Sequence, residues 1–173
     1  MAARSDTFVD SHVLFDFGRS SRIGLPEAVF CEGKPFSSLK SLLSRFGRGS
    51  GHPILFTRLS SDVFGSMPGE IKEAYDYDPL SRTAFGDTMP ERKRGSVAIV
   101  SAGTADGFVT FEAARTLTYL GVHNEVFEDC GVAGLWRLTE KLPAINACDC
   151  VIVVAGLDAA LLSVVGGLIS KPP

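Results

Sequence analysis

One device recurs three times in the last third of this chain, and it limits the possible folds sharply. Each time an apolar strand runs into a loop of tiny residues and then into a helix. The junctions are Val97–Val100 into Ser101-Ala102-Gly103-Thr104-Ala105-Asp106-Gly107, Val126-Phe127 into Asp129-Cys130-Gly131-Val132-Ala133-Gly134, and Val151–Val154 into Ala155-Gly156-Leu157-Asp158-Ala159-Ala160. Alternating βα units give a right-handed, parallel α/β arrangement. In an open parallel sheet all three loops fall on one carboxyl edge. Small residues let a ligand approach the backbone, and helix N-termini attract anions. The pattern therefore predicts a nucleotide or phosphate site along that edge.

The bulk numbers leave room for such a fold. The chain has 173 residues, 45% of them hydrophobic, and a net charge of -3. That suffices for one ordinary core with an appendage. Mild acidity without a basic stripe argues against nucleic acid as a partner. No apolar run reaches the roughly 18 residues that span a bilayer, and Asp158, Gly156, Gly166 and Gly167 interrupt the nearest one, Val151–Ile169. No basic segment precedes an apolar one at the start, so we expect no secretory signal, no membrane partner and a cytoplasmic location. Cys31, Cys130, Cys148 and Cys150 form no C-x-x-C pair, and His12, His52 and His123 are scattered. We expect reduced core thiols and no metal site. Cys148 and Cys150 are expected to alternate along one strand and share a face.

The two halves differ in character. Thirteen of the 17 Lys/Arg precede Gly95. Glycine and proline break the first half into short pieces, among which Ser37–Phe46 reads as a helix, with Leu39, Leu42, Leu43 and Phe46 at helical spacing. Pro53–Thr57 reads as a short strand. Phe85–Arg94, ending in Arg92-Lys93-Arg94, reads as a linker between regions 1–94 and 95–173. In the second half a helix over Phe108–Leu120 is expected to bury Val109, Ala113, Leu117 and Leu120, with Gly121 as its stop. Val151–Val154, apolar throughout, reads as a strand covered on both faces. Leu157–Ser170 reads as a helix buried on most sides. Gly166-Gly167 inside it marks either a kink or early end, or close contact with a helix of another subunit.

The candidate site residues come from the loops. The first is neither a Walker A sequence nor G-x-G-x-x-G. Ser101, Gly103 and Thr104 offer hydroxyls and backbone N–H groups that suit a phosphate. Asp106 is either a site acid or a plain helix cap, and Glu112 either joins it or is a solvated helix residue. In the second loop Asp129, Gly131 and Gly134 precede Trp136-Arg137. Arg137 can clamp a phosphate or carboxylate with its planar fork, or lie on the surface. Trp136 can stack on a ring or fill core. In the third, Ala155 and Gly156 allow close approach, and Asp158 stands at the head of an apolar helix as acid or cap. No Ser-His-Asp order and no H-E-x-x-H occurs in these loops.

These residues resemble a known family. Val97–Asp106 is similar to the opening of the PurE superfamily, the aminoimidazole ribonucleotide carboxylases and mutases. Asp129–Leu135 and Val154–Leu168 look more like its LarB branch, the pyridinium biscarboxylate mononucleotide synthases. Upstream, Asp16, Arg19, Arg22, Gly24–Lys34, Thr57-Arg58 and Tyr77–Thr83 resemble the N-terminal segment of LarB proteins. The resemblance covers roughly residues 14–173. It implies a flavodoxin-like, three-layer PurE-type α/β fold with an incomplete parallel sheet and a small irregular α+β N-terminal region. It implies a carboxylase acting on nicotinic acid adenine dinucleotide with carbon dioxide or bicarbonate as co-substrate, in synthesis of the nickel-pincer nucleotide cofactor. A second carboxylate is added to the pyridine ring and the pyrophosphate is hydrolysed. Asp106 and Asp158 become the expected catalytic acids. Ser101, Gly103, Thr104, Asp129, Gly131, Gly134, Arg137, Ala155 and Gly156 become substrate-binding residues. No tightly bound cofactor is expected, with magnesium as a candidate companion ion. A homo-oligomer is expected.

Two departures qualify the resemblance. The family continues with a further strand, a glycine-rich loop and a helix bearing a nucleophilic cysteine, whereas this chain stops at Ser170-Lys171-Pro172-Pro173. None of its four cysteines matches that nucleophile. In a 2-1-3-4-5 sheet its last strand would be left as an apolar edge, so the resemblance implies an incomplete, inactive portion. Trp136 stands where relatives usually carry histidine. The alternatives are a carboxylase or mutase of purine synthesis and a non-catalytic nucleotide-binding remnant.

Overall fold

The computed structural model describes residues 8–10, 13–89 and 95–171. The chain divides into two compact units, residues 1–88 and 89–173. His12, the basic run Arg92–Arg94 and the closing Pro172-Pro173 lie outside the described residues.

The first unit contains β1 (Phe8–Asp10), β2 (Val13–Leu14), α1 (Arg19–Ile23), β3 (Ala28–Phe30), α2 (Phe36–Arg45), β4 (Leu55–Thr57), α3 (Ser61–Gly65), α4 (Gly69–Glu73), β5 (Asp76–Asp78) and β6 (Thr83–Phe85). A four-stranded sheet runs in the order β3-β4-β6-β5, with β3 and β4 parallel and the other pairs antiparallel. The spacing of Leu39, Leu42 and Leu43 turns one face of α2 onto this sheet, and Phe46 follows at the helix end. All four are buried to within 2%, and burying each contributes about 1.5–3 kcal/mol. Phe85 lies within β6, so the expected linker begins later than the sequence suggested.

The second unit contains β7 (Ser96–Ser101), α5 (Gly107–Tyr119), β8 (His123–Phe127), α6 (Trp136–Thr139), α7 (Leu142–Ala147), β9 (Cys150–Val154) and α8 (Ala160–Leu168). The three strands are parallel and ordered β8-β7-β9, an open sheet of the flavodoxin-like, PurE-type α/β class. Central β7 is covered on both faces. Ala98 and Val100 join a cluster with Leu138, Ile145, Leu161 and Val165, while Ile99 between them is equally buried. Among the described residues no helix is long and apolar enough to cross a membrane.

Four expectations need correcting. The buried stripe of α5 is Gly107, Thr110, Ala114 and Tyr119, whereas Val109 is 48% exposed. A threonine can turn inward because its hydroxyl donates to the Asp106 carbonyl at 2.9 Å, satisfying itself within the helix. Among the described residues β9 pairs with β7 alone, the apolar edge that the resemblance implies, so in place of cover on both faces only Val151 is buried and its other residues are half-covered. The last helix begins at Ala160 rather than Leu157, and only Leu161 and Val165 are buried in it. Gly166 and Gly167 have open space where a β carbon would sit, so nothing described in this chain itself requires glycine there. Cys148 caps α7 and is buried, whereas Cys150 opens β9 and is half-buried, so the two do not share a strand face.

Candidate functional site at the carboxyl edge

Parallel pairing in register brings the ends of β7, β8 and β9 to one edge, and hydrogen bonds then tie the following loops together. Ala102 N–H donates to the Val154 carbonyl at 2.9 Å, joining the first loop to the third strand. Cys130 N–H donates to the Ser101 carbonyl at 2.8 Å, joining the first loop to the second. A β carbon on Gly131 would lie 2.8 Å from the Ala102 carbonyl oxygen, closer than side chains tolerate. The glycine is therefore required for this approach.

In the first loop Ser101 is completely buried, and its hydroxyl has no hydrogen-bond partner among the described residues. Such a group costs free energy until something satisfies it. Gly103 is half-buried and donates its N–H to Asp106 Oδ2 at 2.9 Å. Asp106 thus clamps its own loop. Its other oxygen faces the third loop, 3.9 Å from where a β carbon on Gly156 would be. Thr104 is exposed beside them.

In the second loop Arg137 turns back onto the backbone that precedes it. Nη1 donates to Asp129 Oδ2 at 2.8 Å, Nη2 to the Gly131 carbonyl at 3.2 Å and Nε to the Gly134 carbonyl at 3.5 Å. A β carbon on Gly134 would come within 2.9 Å of Arg137 Nε, so this glycine makes room for the fork. Asp129 is exposed and takes a left-handed backbone conformation, φ 55°. Trp136 is 63% exposed, which removes the core-filling reading. In the third loop Ala155 is half-buried, Gly156 and Asp158 are exposed, and the helix N-cap is Ala159, with no side chain capping it. Asp158 is therefore not the cap, and it is exposed, without a described bond to the other two loops.

Lys141 was not foreseen. Its ammonium donates to the Glu128 carbonyl at 2.6 Å and lies 3.7 Å from Cys130 Sγ, placing a cation beneath the second loop. No local motif announces it, because a helix and a turn separate it from the loop it supports. Burial pushes the Cys130 thiol above its usual range, although Lys141 partly counters this. Burial also pushes Cys31, in the first unit, up to about 12. Neither is a ready thiolate near neutrality.

The first unit supplies the decisive comparison. Residues 9–87 match the LarB/PurE-like N-terminal domain. Over that stretch the chain is similar to this domain family. The matched residues take in the four-stranded mixed sheet and α2, and the parallel unit follows them in the chain. The whole chain is also 29% identical over 174 residues to an uncharacterized protein of Methanocaldococcus jannaschii. The match takes in 95% of this chain and 67% of that protein.

Proposed function

We propose that the carboxyl edge of the second unit binds the nucleotide substrate of a LarB-type carboxylase, nicotinic acid adenine dinucleotide. One observation carries this reading: the buried, unpartnered Ser101 hydroxyl at the end of β7, where the three loops meet, in a chain whose first half matches a LarB/PurE-like N-terminal domain. A phosphate oxygen reaching that edge would accept the Ser101 O–H. Backbone N–H groups of the glycine-lined loops would surround it, as at other phosphate cradles. Arg137 holds the second loop in shape and keeps unspent N–H groups for the ligand.

The chemistry implied is carboxylation of an electron-poor pyridine ring with carbon dioxide or bicarbonate as co-substrate, followed by hydrolysis of the pyrophosphate. Asp106 is the acid we propose to take a proton from the ring or to orient water; that one of its oxygens holds the loop while the other lies toward Gly156 supports this. Asp158, exposed nearby in sequence, is the second acid of the proposal. No cysteine described here is assigned the nucleophile. Magnesium enters only as a companion of substrate phosphates, which needs one or two carboxylates. Among the described residues no three His, Cys, Asp or Glu side chains gather to hold a resident ion. We place the protein in the cytoplasm, where four free cysteines stay reduced. We also propose association of copies through the exposed Leu162 and Leu168 side of α8.

Calorimetric titration with nicotinic acid adenine dinucleotide, and separately with aminoimidazole ribonucleotide, tests the substrate. The dinucleotide should bind, and Ser101→Ala and Asp106→Asn should weaken it. Binding of the purine precursor alone would replace this reading by the purine enzyme. Binding of the dinucleotide without uptake of labelled bicarbonate or release of AMP would leave the chain a binding module.

A further inference from the structure

The first unit carries a basic cavity that the loop site does not account for. An open cavity of about 360 Å³ lies between the end of α2 and the start of α4, with Arg45, Arg48, Ser44 and Ser50 among its walls. Lys40, Ser41, Ser44 and Arg45 line an adjoining hollow of about 500 Å³. The second set follows from helical spacing. Lys40 with Ser44, and Ser41 with Arg45, are each four residues apart and so share one exposed side of α2. The two hollows share Ser44 and Arg45 in their walls and are taken together as one depression.

The loop that carries Arg48 is held firmly. Gly47 packs so closely on Ala74 that a β carbon would fall 2.8 Å from the alanine methyl. A β carbon on Gly86 would come within 2.4 Å of Arg48 N, so that glycine seats the loop from its other side. Arg48 N–H donates to the Ala74 carbonyl at 3.0 Å, and Gly49 N–H to Asp87 Oδ2 at 2.7 Å. Gly49 and Gly51 both take left-handed backbone conformations, φ 78°. The Arg45 guanidinium is steadied over the Phe46 ring at 5.9 Å. Among the described residues neither Arg45 nor Arg48 has an ion-pair partner. Three cations therefore face the depression against one wall carboxylate, Glu70, with Asp87 already spent on Gly49.

We infer that this depression binds linked phosphates, the pyrophosphate group of a nucleoside diphosphate or of free pyrophosphate. Two guanidiniums three residues apart offer paired donors to successive phosphates, and the serine hydroxyls supply neutral donors between them. The preformed loop lowers the ordering cost of binding. A concave site suits a small ligand better than a nucleic-acid strand, and the net charge of -3 agrees.

Nuclear magnetic resonance of the full chain reads the site directly, independently of the loops of the second unit. On titration with inorganic pyrophosphate the Nε–H signals of Arg45 and Arg48 and the amides of Gly49 and Ser50 should shift saturably along one curve. Arg48→Gln should move the midpoint of the Arg45 curve about tenfold, the worth of one charge-assisted contact. Ser101→Ala should leave both curves in place. A parallel titration with ADP assigns the source. A midpoint at least tenfold lower than with pyrophosphate means a nucleotide, and equal midpoints mean pyrophosphate alone, and each supports the site. Shifts that never saturate, that vanish in 0.15 M salt (the physiological screening range), or that are absent from Arg45 and Arg48 would overturn it.

Discussion

Gly131 and Ala102 lock two loops of the candidate site together, with only 2.8 Å between the carbonyl oxygen of Ala102 and the place a β carbon of Gly131 would take. Gly131 has an ordinary φ of -56°, so space and not backbone strain demands the glycine. The contact lies beside the Cys130 N–H bond to Ser101. Gly131→Ala should therefore push the second loop from the first at a cost of about 1–3 kcal/mol, the usual range for overpacking. Urea denaturation measures it; an unchanged midpoint would mean that the loops part freely.

Ser101→Ala should separate stability from binding. The hydroxyl is buried without a partner, so removing it should leave stability unchanged or raise it by about 1 kcal/mol. Dinucleotide affinity should fall in the same variant. Thermal melts with and without ligand give both quantities, and a strongly destabilised variant would point to a structural partner for the hydroxyl instead.

Arg137 should matter more than the ion pair it makes. Asp129 is half-exposed, so the pair alone is worth about 0–1 kcal/mol. The guanidinium also holds two loop carbonyls. Arg137→Ala should thus cost more stability than Asp129→Ala, and Arg137→Lys should not restore it, because a lysine lacks the fork. A double-mutant cycle on urea midpoints settles the comparison.

Alkaline pH should loosen the first unit through Cys31. Burial raises its pKa from 9.0 to about 12, only partly countered by Lys34. The unfolded chain loses this proton near pH 9, whereas the folded chain keeps it until about 12. The stabilising contribution is therefore complete below pH 9 and is lost as pH rises toward 12. Tyr75, raised chiefly by burial and then by Cys31, adds to the same decline. Cys31→Ala should start less stable at pH 8 and fall less steeply between pH 9 and 11 in urea titrations. Parallel curves for parent and variant would show that Cys31 ionises as freely folded as unfolded.

The pattern of residues alone was enough for the parallel unit and for α2. Apolar runs ending in small residues specify strand, loop and helix locally, and Leu39, Leu42, Leu43 and Phe46 declare a buried helical face whatever they pack on. Positive φ at Gly121 likewise marks the end of α5 from one residue. Contacts between distant segments lie outside any such local code. Which side of α5 turns inward depended on Thr110 finding the Asp106 carbonyl, and the exposure of α8 depended on which neighbours the sheet supplied. Arg137 folding back on Gly131 and Gly134, Lys141 beneath Cys130, and Gly86 against Arg48 are likewise matters of proximity in space. A sequence states what each residue can do, but burial, close approach and hydrogen-bond satisfaction are decided only when the chain is folded on itself.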